Sequence, residues 1–283
     1  MNAAVLALRN FASPRLVVGG AALAFLILLA ITAPWISPRD PLEQDFLLQY
    51  VPPYWLAGGN PAFPLGTDNL GRDILSRLIW GARPAMEVMV LGASFSCLFG
   101  VSAGLLAGYL GGRTDSIVSR TIDVFMSFPP ILLAIVLVAL VGPGLGTVIM
   151  AVVLIGWTRF ARVVRSEVLV LREQDYVTAA RLLGYSPGRI VFRELLPNVL
   201  PIVLALLSLE MGHAIVVEAV LAFIGFSSSE VATWGGIIAD GRSYLNQAWW
   251  IMAFPMLAIL IAVLALSFVA DGLRSATDPV MRR

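Results

Sequence analysis

The chain has 283 residues, of which 59% are apolar and only 13% charged, with a formal net charge of +1. These proportions exclude an ordinary soluble domain and point to an all-α polytopic membrane protein, since helices satisfy their own backbone in hydrocarbon. All 19 cationic side chains are arginine, which excludes a phosphate-loop lysine and a Schiff-base lysine and assigns any nucleotide hydrolysis to another chain. With one cysteine, Cys97, and one histidine, His213, no intrachain disulfide or Cys/His metal cluster can form.

Six apolar stretches of about 20 residues are each long enough to cross a bilayer. They are Leu16–Ile36, Ala85–Leu110, Ile117–Val141, Thr147–Val164, Val199–Ile224 and Trp249–Val269. The first exceeds a signal-peptide core, and Pro34 blocks the one plausible cleavage site, so it reads as a retained anchor. The following loop from Ser37 to Ala62, rich in proline and tryptophan, is long for a connector and is expected to shape an outer vestibule.

Next comes Phe63–Arg83, where Pro64, Gly66 and Gly71 predict turns. Ile74, Leu75, Leu78 and Ile79 predict a short amphipathic helix lying along the outer membrane face, with Arg72, Asp73 and Arg77 on its wet side. This helix either seals the bundle or meets a soluble partner. Glu87 sits one turn beyond Arg83 and is expected to pair with it.

In the second span Gly100, Gly104 and Gly108 recur every four residues, a stripe that admits a neighbouring backbone from this chain or from a partner chain. Gly111 and Gly112 predict one turn, and Gly142, Pro143, Gly144 and Gly146 another. In the fifth span Glu210 and Glu218 are about two turns apart and are candidate pathway-lining groups, Glu218 being equally suited to an interhelical hydrogen bond. His213 and Cys97 read as packing residues.

Arginines divide fourteen to five between the two sides of the six-span topology. The richer side, which includes Arg113, Arg159, Arg165 and Arg189, is read as cytoplasmic, as are both termini. On that side lies the island DYVTAARLLGYSPGRIVFRELLP, Asp175–Pro197, too polar for hydrocarbon. Asp175 is expected to cap a helix to about Leu183, with Tyr176, Ala179, Ala180 and Leu183 on one face. Gly184 is expected to end it in a left-handed turn. Ser186-Pro187 then restarts a second helix, and Pro197 marks its junction with the fifth span.

Ala179-Ala180, Gly184 and Leu196-Pro197 resemble the EAA motif of permease subunits of ATP-binding-cassette importers, although Thr178 replaces its glutamate and Glu194 a preferred isoleucine. Phe63–Arg83, Val216–Phe226, the run WGGIIADGRSYLNQAWWIMAFP and Asp271–Pro279 are similar to the second-permease type of the peptide and nickel branch. The resemblance implies the MetI-like fold of type I importers in a bacterial inner membrane. Residues 1–62 would hold the N-terminal segment, first span and start of the outer loop, and residues 63–283 the permease domain, with a coupling loop near 165–197.

It also implies a second homologous permease, two cytoplasmic ATP-binding subunits carrying the ATP and magnesium, and an extracytoplasmic substrate-binding protein. No cofactor on this chain and no nucleic acid are expected, and membrane lipid surrounds it. ATPase coupling would fall to Asp175, Tyr176, Ala179, Ala180, Arg181, Leu183, Gly184, Leu196 and Pro197, with Ala180 on the contacting face. The substrate class implied is di- or oligopeptides, with a nickel complex as the alternative. A secondary carrier is disfavoured because no half-to-half repeat appears, and a membrane enzyme because no nucleophile, base and metal set converges.

Overall fold

The computed structural model describes residues 14–226 and 231–277; Arg9, Arg282, Arg283 and the Asp278-Pro279 end of the closing motif lie outside them. In chain order the helices are α1 (Pro14–Ile36), α2 (Ile74–Glu87), α3 (Ala93–Leu110), α4 (Gly112–Ser127), α5 (Pro130–Val141) and α6 (Leu145–Leu171). They continue with α7 (Asp175–Leu182), α8 (Pro187–Ile190), α9 (Leu196–Ile224), α10 (Trp234–Gly241) and α11 (Trp250–Thr277). Among the described residues five helical segments are long and apolar enough to cross a membrane, or six if the bent α4–α5 pair is one span.

That pair covers the third span expected over Ile117–Val141 and breaks it in two. The two helices meet at 88°. Pro129 and Pro130 follow Phe128, and a residue before proline is driven out of the helical region; Phe128 accordingly sits at φ −91°, ψ 141°. Asp115 and Arg165 form a salt bridge, and Asp123 lies 3.2 Å from Arg162, so the charged face of α4 is turned towards α6.

The second span is also longer than expected. α2 runs through a wide π-turn at Val88–Gly92 into α3, making one helical segment, Ile74–Leu110. There is no separate surface helix: Arg77 is buried, not on a wet face. Arg83 lies over the Trp80 ring at 5.3 Å instead of pairing with Glu87, which is exposed. The same device appears at the fifth span, where α8 passes through a π-turn at Val191–Leu195 into α9. Pro197 lies at that passage, where the π-turn gives way to regular helix. It sits at the second position of α9, just past the π-turn, within one helical segment that runs from Pro187 to Ile224.

The glycine stripe packs α3 against α6 within this chain. A Cβ at Gly100 would lie 2.4 Å from the Trp157 carbonyl oxygen, and one at Gly104 would lie 2.7 Å from that of Ala161. Backbone cannot yield to such contacts as a side chain can. Gly104→Leu should lower the thermal unfolding midpoint of the detergent-solubilised protein, with a cost of about 1–3 kcal/mol. Gly20→Ala, whose Cβ would meet nothing within 4 Å, is the control; equal midpoints for both variants would contradict this packing.

At one end of the bundle the segment between α1 and α2 folds into a cap. Tyr50 N–H donates to the Asp68 carbonyl and Thr67 N–H to that of Val51, at 3.1 and 2.9 Å. Trp250 Nε1 donates to the Thr67 carbonyl at 3.0 Å and Trp234 Nε1 to that of Leu78 at 2.9 Å, which joins α11 and α10 to the cap and α2. Gly71 has φ +75°, and a Cβ there would fall 1.8 Å from the Asp45 carbonyl oxygen, so the turn requires glycine.

Under the cap lies a buried ion cluster. Asp68, fully buried, accepts from the Leu70 and Arg72 amides, from Arg72 Nε at 2.6 Å and from Arg77 Nη1. Asp240 of α10 takes Arg72 Nη2 at 2.7 Å and Arg77 Nη2 at 2.9 Å. Two carboxylates and two guanidinium groups thus tie the cap to α2 and α10.

Candidate functional site

α7 stands at the opposite end of the bundle. Arg181 lies over the Tyr109 ring at 5.8 Å, and Arg172 Nη1 donates to the Gly108 carbonyl at 2.9 Å, fixing this end to the close of α3. Gln174, not Asp175, occupies the cap position, without a side-chain bond. Asp175 is the first residue of the helix, where a carboxylate favours the dipole's positive end.

The helix ends in a Schellman turn. Tyr185 N–H donates to the Ala180 carbonyl at 3.1 Å and Gly184 N–H to that of Arg181 at 3.0 Å, with Gly184 at φ +78°. Ser186 Oγ accepts from the Arg189 amide at 3.4 Å and Pro187 opens α8. The loop is therefore closed by two local devices, both legible as Gly184 and Ser186-Pro187.

The faces of α7 differ from the expected ones. Val177 and Ala180 point inward and join a cluster with Val168, Ile190, Leu195 and Val199. Ala180 is thus part of this chain's own packing. Tyr176 and Ala179 face outward, and at the end of the helix Leu182 and Leu183 are 85% and 73% exposed. Phe192, on the π-turn, is exposed nearby. Asn198 Nδ2 approaches Tyr176 Oη at 3.4 Å, and burial, with Glu194 beside it, raises the Tyr176 phenol above its ordinary pKa. Leu196 is half-buried and Pro197 exposed on the first turn of α9.

A second polar centre lies inside the bundle. Arg159, which the arginine tally counted on the cytoplasmic side, sits near the middle of α6 beside Glu210 of α9. Its Nη1 donates to Glu210 Oε1 at 2.9 Å and Oε2 at 3.0 Å, and stands 3.1 Å from His213 Nδ1. Glu210 is buried and held. Glu218 is buried near Thr233, and its Oε2 has no hydrogen-bond partner among the described residues. Sequence reasoning singled out Glu210 but missed Arg159, Val177 and Leu182; the signal for Arg159 was a cation well inside the expected span Thr147–Val164, counted instead with the cytoplasmic arginines.

A helical bundle of this kind, with a short helix held at one end by its own core, invites comparison with known transporters. Residues 100–283 match the family described as the binding-protein-dependent transport system inner membrane component. The chain belongs to that family. Residues 6–53 match the N-terminal transmembrane domain of oligopeptide transport permease C.

Among relatives of this transport component, the di/tripeptide transport system permease protein DppC of Pseudomonas aeruginosa is 39% identical over 278 residues, 97% of this chain and 91% of that protein. The dipeptide transport system permease protein DppC of Escherichia coli is 41% identical over 270 residues, 94% and 89% of the two chains. An inward-facing structure of the MetNI methionine ABC transporter superposes with a TM-score of 0.61 at 20% identity, covering 72% of this chain and 98% of the other, which shows a shared fold. The chain is a membrane permease component of an importer, not a catalytic subunit; ATP hydrolysis lies on separate subunits.

Proposed function

We propose that this chain carries di- or oligopeptides across the bacterial inner membrane as one of two related permeases, docked on two ATP-binding subunits and served by an extracytoplasmic binding protein. The similarity to the di/tripeptide permease over nearly all of both chains carries this reading. α7 is its coupling helix, with the α7 end cytoplasmic and the cap outside. Residues 1–62 supply the first span and the start of the cap, and residues 63–283 the transport domain.

Coupling requires a stiff lever with two positions set by nucleotide state and no chemistry from the permease. Leu182, Leu183 and the Ala179 face supply the contact with an ATPase cleft, while Val177 and Ala180 lock α7 to the base of α9. Asp175 and Arg181 border the contact, Gly184 sets its end, and Leu196-Pro197 begins the long helix that carries the motion inward. Glu210 stands midway along that helix.

The test is uptake by the complete complex in proteoliposomes, with labelled dipeptide or a nickel chelate as cargo. ATP-dependent accumulation of dipeptide is expected. Accumulation of nickel alone overturns the substrate, and peptide uptake by this chain without its companions or ATP overturns the importer reading in favour of a secondary carrier.

A further inference from the structure

Arg159 is tethered through one nitrogen. Every polar contact it makes among the described residues is to Nη1, so Nε and Nη2, the edge of the guanidinium suited to a bidentate carboxylate, are left open. The side chain is 33% exposed and that of His213 is 59% exposed, although both lie within segments that cross the membrane. A charged group at this depth costs at least about 2.5–3.5 kcal/mol against lipid. This face of α6 and α9 is therefore turned towards water or protein.

Arg159 also lines a notch of about 80 Å³ beneath the α4–α5 bend, with Phe125, Phe128, Pro130, Leu154 and Thr158. A cationic fork next to a small apolar recess matches one end of a peptide, a carboxylate adjoining a side chain. We propose that Arg159 is a carboxylate-receiving station in the translocation pathway, taking the peptide's C-terminal carboxylate on Nε and Nη2 while Glu210 holds the guanidinium in place. This rests on the peptide-permease reading.

Glu210 has two effects in this arrangement. It neutralises Arg159 when no cargo is present, and it weakens the hold on a passing carboxylate by keeping a competing anion on Nη1. A pathway site must bind well enough to admit cargo and loosely enough to release it.

The experiment uses the complete complex in proteoliposomes with labelled dipeptide and saturating binding protein. Arg159→Gln should lower uptake about tenfold, and Arg159→Lys, which keeps charge but loses the fork, about threefold. The exchange Arg159→Glu with Glu210→Arg restores an ion pair but moves the cation to a buried position, and it should not recover uptake. Recovery by the exchange, or uptake by Arg159→Gln within about twofold of the parent, overturns the station while leaving the peptide reading intact. A parent complex that imports no peptide overturns the substrate reading itself.

Discussion

Placing aspartate at both Leu182 and Leu183 should reduce ATP-driven uptake at least about tenfold while the chain still inserts and assembles with its permease partner. Both side chains are largely exposed on the free chain, so polar replacements cost little in its own fold. In an apolar cleft of an ATPase, each new carboxylate would be buried without a partner. Desolvating even one unpaired polar group costs about 1–3 kcal/mol by mutational measures, and a charge costs more; each 1.4 kcal/mol is a factor of ten in association.

The contrasting substitution is Ala180→Asp. Ala180 is buried against Val177 and the base of α9, so the charge should lower the amount of folded protein recovered as well as uptake. Two measurements separate the cases: ATP hydrolysis together with peptide accumulation, and the yield of assembled complex. If the double aspartate variant transports like the parent, the contact surface is not at the end of α7.

The largest loss of stability should follow removal of Asp68. Its carboxylate is inaccessible and gathers two amides and two guanidinium groups, and without it Arg77, itself buried, faces Arg72 with only Asp240 between them. Breaking a buried ion pair from one side costs about 3–5 kcal/mol because the remaining charge is left uncompensated. Asp68→Ala should therefore lower the unfolding midpoint strongly, and Arg77→Met added to it should cost less than the two single changes combined. Glu43→Gln, on the exposed part of the same cap, serves as reference. A midpoint for Asp68→Ala equal to that of the reference would remove the cluster's structural role.

Local signals were legible where they acted over one turn. Gly184 and Ser186-Pro187 announced the end of α7 and the start of α8 because a left-handed turn favours glycine and a helix start favours a hydroxyl followed by proline. The glycine stripe announced a close helix contact, and α6 proved to be its neighbour. The 88° bend was equally available in Phe128-Pro129-Pro130, but average hydropathy across Ile117–Val141 obscured it.

Signals depending on distant partners were misread. Arg77 followed a polar helix pattern, yet Asp68 and Asp240 made burial possible by supplying charge from a loop and from a helix 163 positions away. Arg159 was counted on the cytoplasmic side although the expected span Thr147–Val164 contains it; it lies near the middle of the Leu145–Leu171 helix, where Glu210 compensates its charge. Pro197 does mark the start of α9, but what precedes it is a π-turn continuing the same helical segment, not a loop.

By itself the sequence determined that this protein crosses a membrane as helices, hydrolyses no nucleotide with a lysine, and projects a short helix stopped by glycine; apolar run length, residue inventory and turn chemistry are properties of the chain alone. Tertiary structure decided which face of that helix is free and which arginines are buried. It also decided that one intramembrane guanidinium keeps an open edge. Those outcomes depend on which groups from remote parts of the chain arrive within about 3 Å, the range at which charge-assisted hydrogen bonds form, and no spacing within a single segment encodes that arrival.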